Sequence, residues 1–160
     1  MKDTTRSILI DPIAKNITNI ELSCVDENEQ IHKIIGCDYC CQVYLGDRVS
    51  MSVNDEGLLH IPREAQPPYN VMQDFFVIHT GDMARNLIAG RGILWAYNAE
   101  GETIDLPDRI QPEVIAEVIK FVPAERRNVA ADLCHRILTE GETNYAKIVN
   151  QALALCRNRK

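Results

Sequence analysis

The apolar positions of this chain change period several times, and each change marks a predicted element. Residues 7–10 and 17–22 read as short strands joined by a turn-rich connection at 11–16. Ile31, Ile34 and Ile35 then recur at helical spacing. Asp26 precedes them with Glu29 three residues on, an acid-based capping box, and Gly36 supplies a left-handed stop. From Cys37 the period falls to two: Cys37, Tyr39, Cys41, Val43 and Leu45 share one face, and Asp38, Cys40, Gln42 and Tyr44 the other. Gly46-Asp47 turns the chain into a half-exposed antiparallel strand, in which Val49, Met51 and Val53 alternate with Ser50 and Ser52. Asn54-Asp55-Glu56-Gly57 is a type I turn leading into Leu58-Leu59-His60-Ile61.

Pro62, Pro67 and Pro68 cannot donate ladder hydrogen bonds, so 62–73 is expected to be a loop or a sheet edge. Residues 75–79 read as a buried strand. Residues 79–92 read as a polar, glycine-punctuated connection with a helical turn near 83–88. Residues 93–97, the Asn98–Gly101 turn and 102–106 form a second hairpin. After Pro107 the pattern is helical to the end. Pro112 suits a first helical turn, with Val114, Ile115, Val118 and Ile119 as its stripe; Pro123 interrupts, and helices follow at 124–140 and 143–157 about Gly141. The expected fold class is α+β, a mostly antiparallel sheet with one short helix, followed by a C-terminal helical segment. The expected division is a sheet domain over 1–106 and a helical extension over 107–160, packed on the first domain or mediating homo-oligomer formation.

Composition narrows the function classes. The 160 residues are 46% hydrophobic and 25% charged, ordinary for a globular protein. No apolar run approaches the roughly 20 residues that span a bilayer, and the N-terminal stretch lacks a signal-peptide core because Asp11-Pro12 cuts it short. The expectation is a cytoplasmic protein without a membrane partner, whose six cysteines stay reduced. Net charge is −6, divided into 10 Lys/Arg against 19 Asp/Glu over 1–120 and 7 against 4 over 121–160. An acidic body with a mildly basic end does not favour nucleic acid, which needs clustered cations.

Candidate chemistry is sparse. Cys37-x-x-Cys40-Cys41 could begin a zinc site completed by Cys24, His32 or Cys134-His135. Strand alternation would place Cys37 and Cys40 on opposite faces, so the cysteines are read as structural, with no metal and no cofactor expected. A redox role would suit a helix N-terminus, where the dipole lowers thiol pKa. The strongest candidate for ligand or partner binding is the 79–92 connection, carrying His79, Thr80, Asp82, Arg85 and Arg91. Gly90-x-Gly92 lacks the third glycine and the following helix of a dinucleotide fingerprint. Arg126, Arg127, Arg136, Lys147 and the Arg157-Asn158-Arg159-Lys160 tail could meet an acidic partner or RNA, or simply complement helix dipoles. No nucleophile or acid–base constellation is visible, so no catalytic residue is assigned.

Ile35-Gly36, Gln42-Val43-Tyr44-Leu45 and Asn54-Asp55-Glu56-Gly57-Leu58-Leu59 resemble a family of small uncharacterised domains encoded by phages, plasmids and bacteria. Ala89–Leu94 followed by Glu100-Gly101 is similar to the end of that domain, giving a coverage of 7–106, with Cys37 where a second small residue is expected. The resemblance supplies no catalytic residues. It implies an accessory product of a mobile element acting on a host process. The leading expectation is a non-enzymatic binding protein engaging a host protein or defence component. The alternative is a domain that binds or sequesters a small nucleotide-like signal near 79–91, and an enzyme stands third.

Overall fold

A computed structural model describes residues 2–55, 74–140 and 143–157. They form mostly antiparallel sheets, one short early helix and C-terminal helices, an α+β fold. Two compact units result, each discontinuous in sequence: Met1–Asp55 with Arg91–Glu117, and Glu56–Gly90 with Val118–Lys160.

The first unit is built on a six-stranded antiparallel sheet. Strands β1 (Thr4–Asp11) and β2 (Asn16–Ser23) form its first hairpin. Helix α1 (Glu27–Ile35) follows, then β3 (Cys40–Gly46), β4 (Val49–Asn54), β7 (Gly92–Tyr97) and the two-residue β8 (Thr103–Ile104). The order β2-β1-β7-β4-β3 leaves β2 and β3 at the edges, with β8 on β7. Asp47 (φ 51°) and Arg48 (φ 60°) both adopt positive φ between β3 and β4, the type I′ geometry whose twist suits a hairpin. Helix α1 lays Ile31 and Ile35 against Leu22 and Ile93, and Gly36 ends it in the left-handed conformation with φ 77°. The expected capping box is absent: Asp26 makes no side-chain cap bond, and its carboxylate accepts from the Gln30 amide nitrogen at 2.7 Å instead.

Strand β4 differs from its half-exposed reading. It lies between β3 and β7 and is buried on both faces, Ser50 and Ser52 as well as Met51. Ser52 is compatible with that burial because its Oγ accepts from Trp95 Nε1 at 2.9 Å. Beyond β8, Arg6 closes the unit: one guanidinium nitrogen donates to the carbonyls of Leu106, Pro107 and Ile110. The expected long helix after Pro112 is only α2 (Pro112–Ala116).

The second unit holds β5 (Phe75–Thr80), β6 (Met83–Ala89) and β9 (Ile119–Phe121), ordered β6-β5-β9. Strand β6 replaces the polar connection and helical turn expected there. Gly81 (φ 58°) takes the first central position of a two-residue turn, so the chain returns alongside β5 with Leu87, Ile88 and Ala89 buried. Strand β9 replaces the end of the predicted helix; Ile119 pairs with Ile78 and is buried by the sheet rather than by a helical stripe. A 3-10 turn (Ala124–Arg126) leads into α3 (Arg127–Glu140), and α4 (Tyr145–Leu155) follows. Phe75 and Val77 pack with Ala130, Cys134, Ile148 and Val149 in one core. The Asn54–Gly57 turn from Glu56 on, the strand at 58–61, the proline segment and Gly141 lie outside the described residues.

Candidate functional site

The β5–β6 hairpin brings four of the five candidate residues onto one short span, but not as a common cluster. His79 and Thr80 end β5, Asp82 occupies the turn, and Arg85 sits exposed on β6. His79 is buried, and its backbone N–H donates to the Val118 carbonyl at 2.8 Å. Its Nδ1 stands 2.7 Å from the Gly81 carbonyl, which can only accept, so Nδ1 carries a proton and donates it. Its Nε2 is buried without a hydrogen-bond partner among the described residues. Beside it, a shallow cleft of about 400 Å³ is lined by His79, Gly81, Asp82, Lys120, Leu153 and Arg157. Lys120 and Arg157 are its cations; Arg157 approaches Asp82 at 4.0 Å, an exposed pair of little energetic weight. Thr80 and Arg85 do not line this cleft.

Arg91 belongs to the first unit and is committed there. Its Nε donates to Asp11 Oδ2 at 3.1 Å and its Nη1 to the Ile34 carbonyl at 3.0 Å, tying the β1–β2 turn to the end of α1. The other Asp11 oxygen accepts the Ile13 and Ala14 N–H groups, so this carboxylate, at 8% exposure, is held on three sides. The late arginines are likewise engaged within the chain: Arg126 with the Leu155 carbonyl, Arg127 with Asp74 at 2.6 Å and Arg136 with Glu140 at 3.2 Å.

The second constellation lies in the first unit, where strand alternation had separated the cysteines. Strand β3 starts only at Cys40, and Cys37 occupies the turn after Gly36. The left-handed Gly36 folds the chain back so that the Gly36 and Cys37 N–H groups both donate to the His32 carbonyl, at 2.8 and 3.1 Å. Cys37 Sγ consequently lies 3.0 Å from Cys40 Sγ, and the donor atoms of His32, Cys37 and Cys40 all fall within 4.8 Å of one another. These are the described residues able to hold a metal together. Burial first, and then the hydrogen bond with Cys37, pushes the Cys40 thiol up to about 12. Cys40 and His32 form part of the wall of an open cleft of about 640 Å³, together with Asp26, Glu29, Gln42 and Trp95.

Lys120 and Arg157 were not singled out as a pair in the sequence because they stand 37 positions apart; only the pairing of β9 with β5 and the reach of α4 bring them to one cleft. The Cys37–Cys40 contact did have a local signal. A glycine stop directly before Cys37 breaks the period-two pattern just there.

The fold is that of an α+β protein with two antiparallel sheets and a helical C-terminal segment. The chain belongs to the family described as a domain of unknown function (DUF3846), which matches residues 5–119. No curated protein and no solved structure matches it. The matched span takes in the sheet of the first unit and the β5–β6 hairpin and ends as β9 begins, leaving α3 and α4 outside. No helix among the described residues is long and apolar enough to cross a membrane.

Proposed function

We propose that this protein is a non-enzymatic binding module that takes an extended, basic segment of a partner protein along strand β3. The observation that carries this reading is the open edge of the first sheet. Among the described residues β3 pairs with β4 alone, and Tyr39, Tyr44 and Leu45 beside that edge are 63%, 66% and 40% exposed. An edge strand offers unpaired backbone groups to an added strand, and exposed tyrosines provide rigid contact area at small entropic cost. The unit that carries β3 holds 7 Lys/Arg against 15 Asp/Glu, which favours a cationic partner. In its fuller form the reading is of a phage- or mobile-element product engaging a host protein or defence component in the cytoplasm, the context implied by the sequence resemblance.

The test is binding of a panel of extended basic and acidic peptides, and of purified candidate host proteins, to the wild type and to a Tyr39→Lys/Tyr44→Lys variant. Binding of basic partners that weakens with salt and drops at least about tenfold in the variant supports the reading. Binding unaffected by the substitutions, or absent for every basic partner, overturns it.

A second reading has its own observation. Lys120 and Arg157, which line one cleft with His79, support an anionic small ligand, such as a nucleotide, at the β5–β6 turn. A nucleotide-dependent rise in melting temperature that is lost in Lys120→Ala and kept in Arg85→Ala supports it, because a ligand selective for the folded state stabilises by mass action. No rise across a nucleotide panel rules it out.

A further inference from the structure

The geometry points to a zinc site formed by His32, Cys37 and Cys40, with its fourth coordination position open toward the neighbouring cleft. Two sulfurs and one imidazole are the donor set that a borderline-soft, tetrahedral divalent ion prefers. Their mutual separations, all within 4.8 Å, allow one ion to reach all three. Ligands about 2.3 Å from a zinc ion stand about 3.8 Å apart across a tetrahedral edge, so the two sulfurs, now at 3.0 Å, need open by less than about 1 Å.

The surroundings are arranged as a ligand set requires. His32 Nδ1 lies 3.1 Å from the Cys37 carbonyl, which accepts its proton; with that bond kept Nε2 is the ring nitrogen free to bind a metal, and with the ring turned Nδ1 is. A backbone carbonyl in this role fixes both the tautomer and the ring orientation of a metal-bound histidine. The Cys37 backbone thus orients the histidine while its side chain supplies a sulfur. Position 37 is itself fixed by the Gly36 turn, and position 40 by its entry into β3, where the Tyr39 carbonyl accepts the Asp55 N–H at 2.9 Å. All three residues are half-buried, protected yet reachable. The cleft beside them contributes the carboxylates of Asp26 and Glu29, which draw a cation toward the site. Three protein donors beside an accessible cleft match zinc sites that keep a water or a ligand in the fourth position, whereas a purely structural site closes all four.

The test uses the full chain, reduced and freed of metal by chelation, then titrated with Zn²⁺ and, in parallel, with Co²⁺. The expected result is one equivalent of zinc per chain, and cobalt spectra with thiolate charge-transfer absorption and the visible bands of a tetrahedral ion. The Cys37→Ser/Cys40→Ser variant weakens zinc binding by at least about 100-fold and His32→Ala by at least about tenfold, while Cys156→Ser, in the second unit, keeps full stoichiometry. A readout on the wild type guards against a variant that fails to fold. Zinc is expected to slow alkylation of Cys37 and Cys40 at least about tenfold, as mapped by mass spectrometry, and to leave Cys156 of the second unit unprotected. Absence of zinc binding by the reduced wild type overturns the proposal, as do equal protection of all cysteines and octahedral cobalt spectra without thiolate absorption.

Discussion

Replacing Arg91 by alanine separates a structural arginine from a ligand-binding one. The side chain makes two charged hydrogen bonds, to Asp11 Oδ2 at 3.1 Å and to the Ile34 carbonyl at 3.0 Å. A hydrogen bond to a charged group contributes about 1.5–3 kcal/mol, and stripping the partner from a fully buried carboxylate costs about 3–5 kcal/mol. Two features lower the loss here. The Arg91 side chain is 36% exposed, so water can replace part of what is removed, and Asp11 retains the Ile13 and Ala14 N–H groups. The expected destabilisation is therefore about 2–3 kcal/mol. For a chain of this size that lowers the melting temperature of the first unit by roughly 4–12 °C. Arg91→Lys keeps the charge but cannot span both acceptors with one planar fork, and is expected to lose about half as much. Urea unfolding followed by tryptophan fluorescence reads the right unit, because the single tryptophan, Trp95, lies on β7. If Arg91→Ala unfolds within about 0.5 kcal/mol of the wild type, the clamp contributes nothing and Arg91 returns to the list of ligand-binding candidates.

Three further outcomes follow from the same geometry. Gly36→Ala is expected to cost about 1 kcal/mol through backbone strain alone, since φ is 77° and none of the described residues lies within 4 Å of an added Cβ; Gly36→Asn should recover much of it, and equal stability of all three forms in urea would refute this. Asp105 is held below the ordinary carboxylate range, first by the Lys2 ammonium and then by the Arg6 N–H. Its contribution to stability is therefore complete above the unfolded value near 3.8 and fades as pH falls through the lower folded value, so Asp105→Asn should flatten the acid limb of the stability profile and leave its slope above about pH 5 unchanged. In thiol labelling of the native chain at pH 8, Cys24 should react first and Cys134 last, because burial holds the Cys134 thiol at about 12; early labelling of Cys134 would show that the α3–α4 core opens readily.

Elements whose sequence carried its own start and stop were legible in advance. Alternating residues bounded by turns predicted the β1–β2 and β3–β4 hairpins, and the Asn98–Gly101 turn was placed correctly. Asn98 Oδ1 accepts the Glu100 and Glu102 N–H groups, and Gly101 takes φ 84°. Strand β6 was missed because Met83-Ala-Arg-Asn-Leu-Ile-Ala89 has no clean period; pairing with β5 makes it a strand. Strand β9 was missed for the same reason, its three residues being too short to show a period and continuous with a helical pattern. For the site residues, composition correctly marked 79–91 as rich in polar groups. It could not show that Arg91 would be consumed by Asp11, or that Lys120 and Arg157 would stand at the hairpin turn in its place.

The short-range geometry belongs to the sequence alone: which residues turn, where α1 stops, and that an α+β fold results. These depend on steric and hydrogen-bonding preferences within a few residues. The tertiary structure decided what lies between distant segments: a β4 buried on both faces, a second unit assembled from two stretches of chain, and the meeting of His32 with Cys37 and Cys40. That last case joins both levels. Gly36 is a local signal, but its left-handed turn interrupts the alternation that would have kept the two sulfurs apart, and only the return of the chain into β3 brings Cys40 to within 3.0 Å of Cys37.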